Sequence, residues 1–232
     1  MKTDYSNFEK IINYTFKNKN LLQNAFIHRS YLNEHKKFPL PSNERLEFLG
    51  DSVLSLITSV YLFKKYPYLK EGEYTEIKSV IVKTESLSKA AKSIGISQYL
   101  FLSKGEEKMN GRENKNILAD SFEALIAAIF LDSNFENAYN FVVKYLFKTK
   151  LDQIVKDKEY QPYKSRLQEI IQSKYKKLPE YKVLEEKGPE HQRIFKIGVF
   201  FNGKKIGEGI GASKKEAEEQ AAKKAFVNFK NI

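Results

Sequence analysis

The chain has 232 residues and carries 40 Lys+Arg against 29 Asp+Glu, a formal charge of +11. It has no cysteine and three histidines (His28, His35, His191), no two at metal-ligand spacing, which argues against disulfide scaffolds, thiolate chemistry, Fe–S clusters and zinc sites. A hydrophobic fraction of 41% argues for a packed core, and the basic balance for a polyanionic partner.

From the N-terminus, MKTDYSNFEK lacks the apolar stretch of a secretion signal. The longest uncharged apolar run, SVLSLITSVYLF, is too short for a bilayer, so a soluble, cytoplasmic protein without membrane contact is expected. Three-and-four spacing of apolar residues predicts helices in EKIINYTF, NERLEFLGDSVLSLITSVYLFKKY, TEIKSVIVKTESLSKAAKSIG, NILADSFEALIAAIFLD and FENAYNFVVKYLFKTKL. Pro39, Pro41, Pro67, Gly95 and Gly111 fall between them as breakers.

The character changes near Pro162, which suits the first position of a new helix. Residues 1–160 hold 24 Lys+Arg and 20 Asp+Glu, whereas residues 161–232 hold 16 and 9, so the last third carries most of the excess. PYKSRLQEIIQSKYKK reads as an amphipathic helix. YKVLEEK and RIFKIGVFFNGKKIGEGIGAS read as strands, with Asn202-Gly203 as a hairpin turn. SKKEAEEQAAKKAFVNF closes the chain as a helix, with Ser213 suited to its N-cap. The expected division is an all-α domain over 1–154, a linker over 155–161 and an α-β-β-β-α domain over 162–232. GEGIGAS lacks the spacing and the βαβ setting of a dinucleotide site.

The chemistry points to carboxylates. Glu44, Glu47 and Asp51 share one predicted helix face within an arc of roughly 60°. Asp120 and Glu123 interrupt an apolar run that otherwise reads as core. Burial of lone carboxylates is costly, and two of them about 5 Å apart repel by ~3 kcal/mol at an effective dielectric of ~20. Either Arg or Lys pairs with them, or a hard divalent cation bridges them. Arg45 projects about 100° from Glu44, and no cation lies between Lys115 and Lys144. Periodicity alone leaves both solutions open. Oxygen ligands would select Mg²⁺ or Mn²⁺, and in a basic protein such a site suggests phosphodiester hydrolysis.

NERLEFLGDSVL closely resembles the signature stretch of the ribonuclease III family. AFIHRSYLNEH, EGEYTEIKSVIVKTESLSKAA and NILADSFEALIAAIFLD resemble further segments of its catalytic domain, in order. The part after Pro162 resembles a double-stranded-RNA-binding domain. The resemblance spans residues 14–229. It implies Mg²⁺-dependent cleavage of double-stranded RNA to 5′-phosphate and 3′-hydroxyl ends with a short 3′ overhang. Processing of ribosomal RNA precursors and some messages is implied too.

By motif position, the resemblance makes Glu47, Asp120 and Glu123 the direct metal ligands and puts Asp51 and Glu123 nearest the chemistry. Glu44 and Glu71 match supporting acids along the RNA valley. It also implies a homodimer in which Phe48 enters the partner, although its spacing fits core packing equally well. In the second domain it assigns RNA contacts to Gln168 and Glu169, to His191, and to Lys214 and Lys215. Lys223 and Lys224 read better as a solvated face. Glu76 stands where relatives carry a basic residue, Asn110 where Gly is usual and Ala127 where Gly is common; none of these is one of the key acids. A non-catalytic RNA-binding relative is the alternative, and retention of both acidic pairs argues against it.

Overall fold

A computed structural model describes residues 4–148, 151–189 and 192–230. It divides into two compact units, Met1–Tyr160 and Gln161–Ile232.

The first unit is helical. In chain order it contains α1 (Ser6–Ile12), α2 (Lys19–Ala25), α3 (Arg29–Glu34), α4 (Glu44–Lys65), α5 (Glu71–Ile81), α6 (Thr84–Ser93), α7 (Lys104–Lys108), α8 (Lys115–Asp132), α9 (Phe135–Val142) and α10 (Leu151–Lys156). α8 is the central helix. Leu118, Phe122, Leu125, Ile126 and Ile129 are fully buried on it, and α2, α4, α6 and α9 pack around it. α4 is long and apolar enough to cross a membrane by length and composition, yet its inner face is buried against α8 and its first turns carry acids. Burial of one apolar face against a neighbour is what holds such a helix in a globular core.

Three local expectations are corrected. The helix expected over 75–95 begins earlier and is broken into α5 and α6 at Val82–Lys83, where Lys83 is extended. The β-branched run Val80-Ile81-Val82 weakens the helix there. The Ser86 hydroxyl donates to the Val80 carbonyl at 3.0 Å and satisfies an end the break would orphan. In the run expected as one helix over 135–151, α9 passes into a π-helical turn at Val143–Phe147, and residues 149 and 150 lie outside the described chain. α1 stops at Asn13, whose left-handed backbone ends the helix before EKIINYTF is complete. The stretch expected as linker, 155–161, includes Val155 and Tyr160, both buried in the first unit's core.

The second unit runs α11 (Tyr163–Tyr175), β1 (Glu180–Lys187), β2 (Ile194–Phe201), β3 (Lys204–Gly211) and α12 (Lys214–Lys230). Pro162 is the N-cap, one position before the helix it was expected to open. The strands form an antiparallel sheet in the order β1-β2-β3, and Asn202 and Gly203 take positive φ at the hairpin turn. Ser213 Oγ accepts the Glu216 amide at 3.2 Å and caps α12.

The GEGIG segment has a packing role. A Cβ at Gly207 or Gly209 would lie 2.5 or 2.2 Å from the carbonyl oxygen of Ala221 or Ala217, and one at Gly211 2.7 Å from the Ala217 nitrogen. Glycine at alternate β3 positions therefore lets α12 lie directly on the sheet, closed by buried Ala217, Ala221, Ala222 and Ala225.

Candidate metal centre and nucleic-acid interface

The site begins with Asn43, a buried amide just ahead of α4. Its Nδ2 donates to the Ala25 carbonyl at 3.3 Å and to Ser121 Oγ at 3.4 Å, and its backbone N–H donates to the Ile27 carbonyl at 2.8 Å. These bonds tie the start of α4 to α2 and α8, so Glu44, Glu47 and Asp51 run along a fixed helix. Gly50 then sets how closely that helix meets α8. A Cβ there would lie 2.0 Å from the Glu123 carbonyl oxygen, closer than any real contact. The missing side chain brings the acids of α4 against those of α8.

Carboxylate oxygens of Glu47, Asp120 and Glu123 come within 4.8 Å of one another, and all three residues are half-buried. Asp51 is exposed beside them rather than within the close group, and its charge acts on Glu123. None of these four carboxylates has a hydrogen bond or ion pair among the described residues; Arg29, paired with Glu44, acts on Glu47 only as a lesser, more distant charge. Glu44 is exposed at the edge, accepting from Ser42 Oγ at 2.7 Å and lying 3.8 Å from Arg29. Glu71 opens α5, outside the close group, and accepts the Thr75 hydroxyl at 3.2 Å.

The electrostatics record the crowding. Burial, and then the charges of Asp51, Asp120 and Glu47, push the Glu123 carboxyl up to about 8. Burial first and Asp120 second raise Glu47, and burial raises Asp120. A half-buried, unpaired set of hard oxygens fits a hard divalent cation.

A stability effect follows from the sign of that shift. Glu123's folded pKa of about 8 exceeds its ordinary 4.5, so its ionisation begins to destabilise the metal-free fold above pH 4.5 and does so fully above about 8. Screening by solvent leaves an effect on the order of 1–2 kcal/mol. Metal-free Glu123→Gln is therefore expected to melt about 2–8 °C above the wild type at alkaline pH and level with it near pH 4. Calorimetry in EDTA at both pH values checks this.

Beside the cluster lies a cleft of about 560 Å³ that shares Glu47 and Asp120 with it and is also lined by His28, Asn33, Glu44, Glu106 and Asn116. Sequence reading missed this role for His28, Asn33, Glu106 and Asn116. They come from separate helices and loops, and only the topology unites them. Gly50 was missed as well, although a glycine three residues after Glu47 and just before Asp51, inside a helix, was its signal.

On the outer side of α4, Phe48 is 79% exposed, in line with Leu56 at 54% and Phe63 at 73%. These positions fall within about 80° on the helix. Phe48 therefore has no place in this chain's own core.

In the second unit, Gln168 and Glu169 are exposed on α11 next to buried Leu167. Lys214 and Lys215 are exposed at the start of α12, with Lys214 Nζ 5.7 Å from the Phe195 ring centre. His191 lies outside the described residues. The Glu219 carboxylate accepts the backbone amides of Tyr163 at 2.6 Å and Lys164 at 3.2 Å, joining the start of α11 to α12.

Comparison with known proteins agrees with this architecture. The pattern of the family described as Ribonuclease-III-like matches residues 18–150, and that of the double-stranded RNA binding motif matches residues 163–228. The chain is 45% identical to Ribonuclease 3 of Treponema denticola, over 98% of this chain and 92% of that protein. It is 42% identical to Ribonuclease 3 of a Geobacillus species, over 100% and 93%. The nuclease domain of Campylobacter jejuni ribonuclease III, which has a structurally flexible region involved in dimer formation, matches with a TM-score of 0.59 and 35% identity, covering 63% of this chain and 99% of that one. With both units matched in order, and relatives aligned along nearly their whole length, the chain belongs to the ribonuclease III family of endoribonucleases that process double-stranded RNA.

Proposed function

We propose that Glu47, Asp120 and Glu123 hold a divalent cation, Mg²⁺ with Mn²⁺ as a substitute, and that the site cuts duplex RNA to 5′-phosphate and 3′-hydroxyl ends with a short 3′ overhang. The single observation that carries this reading is the close group of half-buried carboxylates with no hydrogen bond or ion pair among the described residues. When bound, the cation supplies a water of lowered pKa and positive charge for the oxygens that gain charge during displacement. Glu123 would hold the cation as a carboxylate, since its raised pKa of about 8 belongs to the metal-free site. Asp51, exposed beside the group, is suited to take the proton of the attacking water. Glu44 and Glu71 are supporting acids on the path of the RNA.

The domain roles follow the two units, with catalysis in residues 1–160 and RNA holding in residues 161–232. Gln168, Glu169, His191, Lys214 and Lys215 would meet 2′-hydroxyls and phosphates across the minor grooves of an A-form duplex. Precursors of ribosomal RNA and some messages, in the cytoplasm, are the natural substrates under this reading. End analysis tests the chemistry. Products should be degraded by an exonuclease that requires 5′-phosphate and should ligate through their 3′-hydroxyls; 3′-phosphate ends would contradict it.

The functional form in this reading is a homodimer. Duplex RNA has two antiparallel strands, and a two-fold pair of chains offers one site to each. The exposed Phe48–Leu56–Phe63 stripe supplies a self-complementary apolar face. Phe48→Glu is expected to weaken self-association by at least about 100-fold while leaving monomer stability nearly unchanged, because the ring is exposed. Sedimentation across a concentration series checks this, and a dimer of undiminished affinity would contradict it.

A further inference from the structure

The cleft beside the carboxylate group contains one fixed donor. Ser103 N–H donates to Ser30 Oγ at 3.1 Å, and Ser30 Oγ lies 2.8 Å from His28 Nδ1. Ser30 Oγ uses a lone pair for the Ser103 amide, so its own hydrogen is free for Nδ1. The Ser30 amide also donates to Nδ1, at 3.3 Å. With Nδ1 accepting, the proton of the neutral ring must sit on Nε2. Burial, the largest influence, lowers the pKa of His28 and favours the neutral ring, against the opposing charge of Glu106; Nε2 carries a hydrogen in either form. Nε2–H has no partner among the described residues. The ring is held by the backbone at the start of α3 and by a segment 73 residues away, so the donor is rigid.

Acceptors line the same cleft. Glu44 is occupied by Ser42 and Arg29, but the half-buried Glu106 carboxylate accepts no hydrogen bond among the described residues. A ligand here meets a neutral donor on one side and carboxylates on the other. Phosphate is disfavoured beside His28, since Glu44 and Glu106 repel it and Arg29, the one cation lining the cleft, lies 3.8 Å from Glu44. An uncharged group that accepts and donates at once is favoured. On A-form RNA the wide minor groove presents such a group at every nucleotide, the ribose 2′-hydroxyl.

We propose that this cleft takes the 2′-hydroxyl of a nucleotide flanking the cut bond, with His28 Nε2–H as donor and Glu106 as acceptor. The catalytic unit then distinguishes RNA from DNA by itself, in addition to whatever the RNA-binding motif contributes. The proposal rests on cleavage taking place at the adjoining group of Glu47, Asp120 and Glu123.

The test is a scan of a short duplex with one cut site, in which single nucleotides on either side of the cut are replaced by 2′-deoxynucleotides one at a time. Wild-type kcat/KM is expected to fall about tenfold at one position near the cut, the size of one hydrogen bond, with little change at its neighbours. His28→Asn keeps an N-cap oxygen for α3 but is too short to present the Nε2 donor. It should lose about tenfold on the all-ribose duplex and nothing further at that position, with an unchanged melting temperature. Glu106→Ala should show the same loss of positional sensitivity, and it decides the matter should the His28 variant not fold. A flat wild-type scan, or variants that keep the full positional loss, would overturn the proposal while leaving the metal site intact. Failure to cut the all-ribose duplex at all would overturn the reading of the site and this inference with it.

Discussion

Replacing Glu123 by Gln is expected to lower cleavage of duplex RNA by at least about 10³-fold, because the amide cannot supply the charged oxygen that completes the group. Affinity for long duplex RNA should stay within about threefold, since phosphate contacts from basic residues dominate such binding. The same substitution is expected to stabilise the metal-free protein at alkaline pH, as argued above. A variant that is more stable, binds normally and does not cut separates a functional cost from a folding defect. Cleavage assays and duplex titrations in matched salt check it. Retention of even a tenth of wild-type activity would remove Glu123 from the centre of the mechanism.

The second large effect concerns a residue with no chemistry of its own. Gly50→Ala would put a methyl carbon 2.0 Å from the Glu123 carbonyl oxygen, so α4 and α8 must move apart. Alanine ordinarily gains ~1 kcal/mol over glycine inside a helix. The clash with backbone outweighs that gain, and a net loss of about 2–3 kcal/mol is expected. The melting temperature should fall by about 4–12 °C. Separation of the helices also spreads Glu47 from Asp120 and Glu123, so the Mg²⁺ concentration for half-maximal activity should rise. A variant as stable as the wild type, with the same Mg²⁺ requirement, would show that the close approach of these helices is dispensable.

Much of this site was legible before any coordinates. Glu44, Glu47 and Asp51 share a helix face because of their spacing, and Asp120 and Glu123 stood out as acids in an apolar run. The resemblance of NERLEFLGDSVL to one family implied roles for those acids. The three-stranded unit was legible for a similar reason, since Asn202-Gly203 has a specific turn chemistry. What escaped were features made by distant contacts. Ser103 orients His28 from another part of the chain, and Glu106 reaches the same cleft from α7. The break at Val82–Lys83 escaped because apolar spacing continued through it, while the Ser86 hydroxyl satisfied the helix end. Glu219 capping the start of α11 is a pairing across 56 residues that no local pattern reveals.

The uneven charge also has a structural counterpart. The second unit carries a large share of the excess positive charge and presents lysines at the start of α12. The first unit is nearer balance, and some of its acids form the unpaired group on α4 and α8. Duplex RNA as the substrate and a divalent cation at this group as a requirement for cutting can therefore be tested together. The most direct measurement strips the protein with EDTA and returns Mg²⁺ in the presence of either a long duplex RNA or one of its strands alone. The duplex should be cut only after Mg²⁺ is returned, and the single strand should stay intact. Cutting without a divalent cation, or equal cutting of both RNAs, would contradict this.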